Sequence, residues 1–291
     1  MLPSTSFILL IVVVVVVIVL VTINSLRRMG QDLQAPPDNP QAFLKTGRPD
    51  NTTQVVVCAG DSITHGIVSA NYVDLLRARF APQGYAFVNA GINGNLAYNV
   101  LHRLDEIIAC QPTVVTLLVG TNDVNATLTP ALTKMYINQQ KLPQPATPDW
   151  YRQNVETLID RLQAETQARI AILSLPPLGE DLDSLANQRV RDYSATLRKI
   201  AAAKQVAYLP LNERLTELLP PTANPPPYTA SLNLAGVAAF KRFILRRSWD
   251  AIAADHRLTL LTDHIHLNDR AAAVVADLIG EFLTSQNQPA N

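Results

Sequence analysis

The hydrophobic pattern begins with a block rather than a period. Phe7 to Val21 is a run of fifteen consecutive apolar residues, extending to Ile23 across Thr22. A helix from Leu2 to Ile23 would span about 33 Å, enough to cross a hydrocarbon core of roughly 30 Å. Met1 to Ser6 has no Lys or Arg, and Asn24 to Arg28 offers no A-x-A cleavage pattern. The stretch therefore reads as an uncleaved N-terminal transmembrane helix, an anchor over residues 1–29, rather than as a signal peptide. Arg27 and Arg28 follow it with nothing comparable before it, so charge bias favours the cytoplasmic side for the rest of a single-pass membrane protein. Residues 30–53 carry Pro36, Pro37, Pro40 and Pro49 and neither helical nor strand period. They read as a linker with a reach of roughly 25–30 Å.

From Gln54 the pattern changes to short β-branched runs alternating with longer helical stretches, the signature of a parallel sheet covered on both faces. The predicted strands are Gln54 to Ala59, Tyr85 to Asn89, Thr113 to Val119, Arg169 to Leu173 and Gln205 to Leu209. Helices are predicted at Asn71 to Phe80, Leu96 to Ile108, Trp150 to Glu165, Leu185 to Ala203 and Asn268 to Thr284. In the last of these Ala271, Val274, Val275, Leu278 and Phe282 mark the buried stripe. One domain, 54–291, holds a five-stranded doubly wound sheet. Asn125 to Asp149 reads as a mostly irregular insertion. Pro220 to Ala254 joins a proline-rich loop to the basic aromatic stretch Phe240 to Trp249. Both lie beside the expected ligand face as candidate lids. The stretch with Lys241, Arg242, Arg246 and Arg247 reads as an amphipathic surface helix, with contact to anionic lipid as the alternative.

Composition changes this picture little. Lys plus Arg equals Asp plus Glu at 24 each, so there is no general electrostatic footprint for nucleic acid. Aligning the first and third strands at Gly60 and Gly120 separates Cys58 and Cys110 by about 26 Å along the strands. That exceeds the roughly 7 Å a disulfide allows. The informative number is glycine: of 11 in the chain, Gly60, Gly66, Gly91, Gly94 and Gly120 fall at the ends of the first three strands.

In a doubly wound sheet the ligand crevice lies beyond those ends. The first strand runs into Gly60-Asp61-Ser62-Ile63-Thr64-His65-Gly66, the second into Asn89-Ala90-Gly91-Ile92-Asn93-Gly94-Asn95, the third into Gly120-Thr121-Asn122-Asp123. Asp263-His264-Ile265-His266 precedes the last helix. Acyl transfer by serine requires a base and a group that orients the base. Ser62, His266 and Asp263 supply these types, and Asp and His three apart on one loop can face one crevice. An oxyanion needs aimed donors, which a glycine-flanked backbone and an Asn amide provide at Gly94 and Asn122.

These blocks resemble the SGNH (GDSL-type) serine hydrolases over roughly Val55 to Phe282. Gly60-Asp61-Ser62 matches the nucleophile motif, Gly94 the second-block glycine, Asn122 the third-block asparagine, and Asp263 with His266 the closing D-x-x-H. The resemblance implies a three-layer α/β/α, flavodoxin-like sandwich and no cofactor. It implies a Ser62 nucleophile, a His266 base oriented by Asp263, and an oxyanion hole from the Ser62 and Gly94 N–H groups with the Asn122 amide. His264 departs from the frequent D-G-x-H, which bears on the local backbone at the substrate mouth. A small-molecule, lipid or glycan ester is the implied substrate. An acyltransferase or carbohydrate deacetylase with the same triad is the alternative, as is a binding module that keeps the fold without catalysis.

Plainer roles exist for each residue. A serine at a strand-to-helix turn is commonly a helix cap. Asp61 and Asp123 read as turn-holding acids, and His65 as an exposed or capping residue with the mouth of the site as alternative. His264 and His266 form H-x-H without further ligands at metal spacing, so no metal is expected. Gly91-x-x-Gly94 lacks the G-x-G-x-x-G and G-K-[ST] patterns of nucleotide loops. Thr64 stands where G-x-S-x-G would need its second glycine.

Overall fold

The computed structural model describes residues 34–220, 224–229 and 233–285. The apolar run from Phe7 to Val21 lies outside them, and among the described residues no helix is long and apolar enough to cross a membrane. Five strands, β1 (Gln54–Gly60), β2 (Tyr85–Gly91), β3 (Val114–Leu118), β4 (Arg169–Leu173) and β5 (Ala207–Leu209), form one parallel sheet in the order β2-β1-β3-β4-β5. This is the flavodoxin-like doubly wound order. The helices in chain order are α1 (Pro40–Thr46), α2 (Ser62–His65), α3 (Tyr72–Phe80), α4 (Ala97–His102), α5 (Leu104–Ala109), α6 (Thr121–Asn125) and α7 (Pro130–Gln140). They continue as α8 (Pro148–Glu165), α9 (Leu185–Lys204), α10 (Leu211–Thr216), α11 (Asn233–Phe243), α12 (Trp249–Asp255) and α13 (Asp269–Thr284).

The sheet is apolar without alternation because both faces are covered. Val56 and Cys58 point into a core shared with α3, α10, α12 and α13. Their neighbours Val55, Val57 and Ala59 point into another shared with α4, α5, α8 and α9. Each fully buried valine contributes about 1.5–3 kcal/mol, and a charge at Val57 would meet no partner on either side. Cys58 and Cys110 are free, buried and on opposite faces of the sheet. Burial pushes the Cys58 thiol up to about 12 and the Cys110 thiol up to about 11, so neither is a thiolate.

The register differs from expectation by two residues. Gly60 lies opposite Gly91 and Leu118 rather than Gly120. β3 stops at Leu118, and the chain turns at Gly120 (φ 138°) into α6. The predicted helix from Leu96 to Ile108 is divided at Arg103, and in α13 Val274 and Phe282 are only partly buried, at the rim of the stripe.

Two segments expected to be irregular contain helices, and the stretch from Phe240 to Trp249, expected as one surface helix, is instead broken between two. In the segment read as a linker, α1 is capped by the Asn39 side chain, which accepts from Ala42 N–H at 3.0 Å. Asp38 holds this segment to the domain: its carbonyl accepts from Asn89 N–H and its carboxylate pairs with Arg77. In the insertion after Asn125, Thr129 caps α7, which packs Leu132 and Tyr136 into a small separate core with Leu96 and Leu142. Within Pro220 to Ala254 lie α11 and α12, the latter capped by Ser248. Phe240 and Ile244 stay 56% and 66% exposed, while Lys241 and Arg247 both pair with Asp255 and Arg242 lies over the Trp249 ring.

Candidate active site

Ser62 opens α2 directly after β1, and its cap is its neighbour: the Asp61 carboxylate accepts from Ile63 N–H at 2.9 Å. The serine is thus not the cap, and its hydroxyl is left to the crevice. Its N–H, at the first position of the helix, has no intrahelical acceptor. The turn fits only because β2 ends in glycine. A Cβ on Gly91 would stand 2.2 Å from the His65 nitrogen. His65 is buried at 3% exposure beneath this junction, not exposed as its sequence context suggested, and the Asn89 amide donates to its carbonyl and to that of Thr64.

The loop before α13 brings in the other two groups. Glu180, buried after β4, accepts backbone N–H groups of Thr259, Leu260 and Leu261. A bridge between Leu261 and Leu267 then closes the loop around residues 262–266. Asp263 Oδ1 accepts the N–H groups of Ile265 and His266 at 3.1 and 2.9 Å, and its Oδ2 meets His266 Nδ1 at 2.7 Å. His266 Nε2 lies 2.8 Å from Ser62 Oγ, across 204 residues of sequence. This fixes the tautomer by its neighbours: Nδ1–H donates to the carboxylate, and Nε2 is the acceptor for the serine proton.

Burial opposes charge on both members of the pair, and their attraction outweighs it. Asp263 is held below the ordinary carboxylate range by the His266 charge and by three hydrogen bonds, from the His266 ring and from the His266 and Ile265 N–H groups. His266 is held above the ordinary imidazole value by Asp263, with a further push from the Asp61 carboxylate. Asp61 is itself pushed up to about 6, and Asp123 up to about 7, chiefly by burial. Asp123 reaches beyond its own turn as well. One oxygen accepts from Ala97 N–H at the start of α4, so it clamps the second-strand loop to the third.

Ser62, Gly94, Asn122 and His266 line one cleft of about 270 Å³. Met135, Tyr136, Gln139 and Gln140 of α7 and Ala235 of α11 also line it, so both peripheral regions border the cleft. Asn122 Nδ2 donates to the Asn95 carbonyl at 3.0 Å and to Asp61 Oδ2 at 3.3 Å, while its Oδ1 accepts from the Tyr136 hydroxyl at 2.8 Å.

This arrangement places a hydroxyl, a base and an amide around one cavity beyond the carboxyl ends of β1, β2 and β3, with the acid that orients the base buried behind it. The sequence profile of the GDSL-like lipase/acylhydrolase family matches residues 58–274. The chain belongs to this family. The protein is a serine esterase of the GDSL type. Comparison with curated protein sequences finds no match. Among solved structures, an acetyl xylan esterase, AlAXEase, is similar at TM-score 0.55 and 20% identity, covering 79% of this chain and 99% of its own. The acetylxylan esterase Axe2 from Geobacillus stearothermophilus is similar at TM-score 0.55 and 16% identity, covering 83% and 99%. LAE5, an alpha/beta hydrolase from the metagenome of Lake Arreo, Spain, gives 0.54 and 19%, covering 83% and 100%.

Several residues of this GDSL-type site had no sequence signal. Arg103 reaches from the break between α4 and α5 to the carbonyls of Gly60 and Ala90 and to the Asn95 side chain. Glu180, Asn125, Tyr136 and Tyr228 likewise act over long separations. His264, the departure from D-G-x-H, adopts φ +75°, the left-handed region that favours glycine, and its ring packs on Tyr228 with centroids 5.8 Å apart.

Proposed function

We propose that the protein is a membrane-tethered ester hydrolase working through an acyl-enzyme on Ser62. The reading is carried by the unbroken hydrogen-bond chain Ser62–His266–Asp263, with links of 2.8 and 2.7 Å. Ser62 Oγ attacks the ester carbonyl while its proton passes to His266 Nε2. The carbonyl π electrons move onto oxygen, which the Ser62 and Gly94 N–H groups and the Asn122 amide stabilise. Of the two bonds Asn122 Nδ2 makes, the longer one to Asp61 is the one an oxyanion replaces. Collapse breaks the ester C–O bond, and His266 returns the proton to the departing alcohol. Water then repeats the sequence with His266 as base, releasing the acid and regenerating Ser62. Nothing in these steps requires a cofactor or metal.

A glycan deacetylase is the second reading. The amides of Asn93, Gln139 and Gln140 at the cleft favour a sugar, and the similar structures named as acetyl xylan esterases point the same way. Transfer to a sugar hydroxyl in place of water would use the same steps. The Phe7 to Val21 run supports the tether, and Arg27 with Arg28 supports a cytoplasmic catalytic domain. Ser62→Ala is expected to abolish turnover of activated short-chain esters, and unchanged turnover would refute the mechanism. Assaying acetylated glycans beside simple esters, with product analysis, decides the acceptor. Carbonate extraction of membranes and protease protection of the full chain test the tether and its side.

A further inference from the structure

We infer that Tyr228, Asn125 and Tyr136 form a positioning relay that aims the Asn122 amide into the cleft, and that Tyr228 joins this relay to the triad loop through His264. The inference rests on the reading of Asn122 as an oxyanion donor.

The relay is continuous and runs one way. The Tyr228 hydroxyl donates to Asn125 Oδ1 at 2.8 Å, and Asn125 Nδ2 donates to the Tyr136 hydroxyl at 3.1 Å. Tyr136 donates to Asn122 Oδ1 at 2.8 Å, and Asn122 Nδ2 donates to Asn95 O at 3.0 Å. Each amide accepts at oxygen and gives at nitrogen, and each hydroxyl passes its own proton onward, so successive dipoles polarise one another. Turning Asn122 over would set its oxygen against the Asn95 carbonyl and the Asp61 carboxylate, both acceptors. Asn122, Asn125 and Tyr136 are all buried, so water does not compete for these bonds. Burial also raises both phenols well above their ordinary value, which keeps them protonated as donors.

Tyr228 is held at its own end by the other half of the site. It sits in a notch where a Cβ on Gly179 would come within 2.8 Å of the Tyr228 Cβ. Gly179 N–H in turn donates to the His264 carbonyl at 2.7 Å. His264 occupies the left-handed backbone region that favours glycine, and its side chain packs against Tyr228. The histidine that departs from D-G-x-H therefore has a partner, and that partner starts the relay. Tyr228 does not itself line the cleft, so any effect it has on the reaction passes through other residues.

The test compares kcat and KM on p-nitrophenyl acetate for the full chain carrying Asn122→Ala, Tyr136→Phe, Tyr228→Phe, or both tyrosine changes. Phenylalanine keeps each ring and its packing. Asn122→Ala is expected to lower kcat about 10²–10³-fold. Tyr136→Phe should lower it about tenfold and Tyr228→Phe about threefold, with KM little changed, as loss of one buried hydrogen bond implies. The double variant should match Tyr136→Phe alone, because Tyr228 acts only through it. Wild-type kcat in Tyr228→Phe, or independent effects in the double variant, would overturn the relay. Wild-type kcat in Asn122→Ala would instead overturn the oxyanion reading beneath it.

Discussion

The two halves of the site are built in different ways. The acid–base half is local: Asp263 and His266 are three residues apart and bond to each other within one loop, and of the reacting groups only Ser62 comes from elsewhere. The oxyanion half is distributed. Its amide, Asn122, takes its orientation from Asn95, Asp61 and Tyr136, which belong to separate segments, and through Tyr136 from Asn125 and Tyr228. A local device is fixed by a short motif and fails when one of its members is lost. A distributed device is fixed by the tertiary structure and should be weakened in graded steps.

That contrast is exposed first by its largest expected effect. Asp263→Asn keeps the shape of the loop but removes the carboxylate that selects the His266 tautomer, and kcat is expected to fall about 10⁴-fold. A loss no greater than that of Asn122→Ala would erase the distinction between the halves. Steady-state kinetics on one activated ester decide it.

The pH profile tests the link between the halves. His266 must be neutral to take the serine proton, and its pKa lies above the ordinary 6.5. kcat/KM should therefore fall as pH drops through a midpoint above 6.5. Asp61, which touches the Asn122 amide and contributes negative charge toward His266, should lower that midpoint when changed to Asn. An unchanged acidic limb in Asp61→Asn would show the halves to be electrostatically separate.

The smallest expected effect concerns the join between the halves. His264→Ala keeps the left-handed backbone cost and loses the ring, whereas His264→Gly loses both. The Gly variant should be the more stable of the two by about 1 kcal/mol in chemical denaturation. Equal stabilities would mean that the φ of +75° is not a source of strain.

The same division decides what could be read from the sequence. The sheet was legible because β1 to β4 are buried on both faces and bounded by turn residues, and Gly60 and Gly91 close the first two strands, whereas β3 stops two residues before Gly120. Ser62, Gly94 and Asn122 were legible as motifs after the first three strands, and Asp263 with His266 as a motif before the last helix. Helices α1, α7 and α8 begin Asn39-Pro40, Thr129-Pro130 and Thr147-Pro148, each a capping side chain followed by proline at the first turn. Reading the segments around these prolines as irregular hid α1 and α7 entirely and placed the start of α8, at Pro148, two residues late. Arg103 was read as interior to a helix, and nothing in its local context indicates that its guanidinium binds the carbonyls of Gly60 and Ala90. Tyr136 and Tyr228 were invisible for the same reason, since their partners lie 14 and 103 residues away.

The central claim, that Ser62 is the nucleophile in this cleft, is tested most directly by treating the full chain with a fluorophosphonate and mapping the adduct by peptide mass spectrometry. A single adduct on the peptide containing Ser62, absent from Ser62→Ala and strongly reduced in His266→Ala, is the predicted result. An adduct on any other residue that accompanies loss of esterase activity, with Ser62 unmodified, would contradict it.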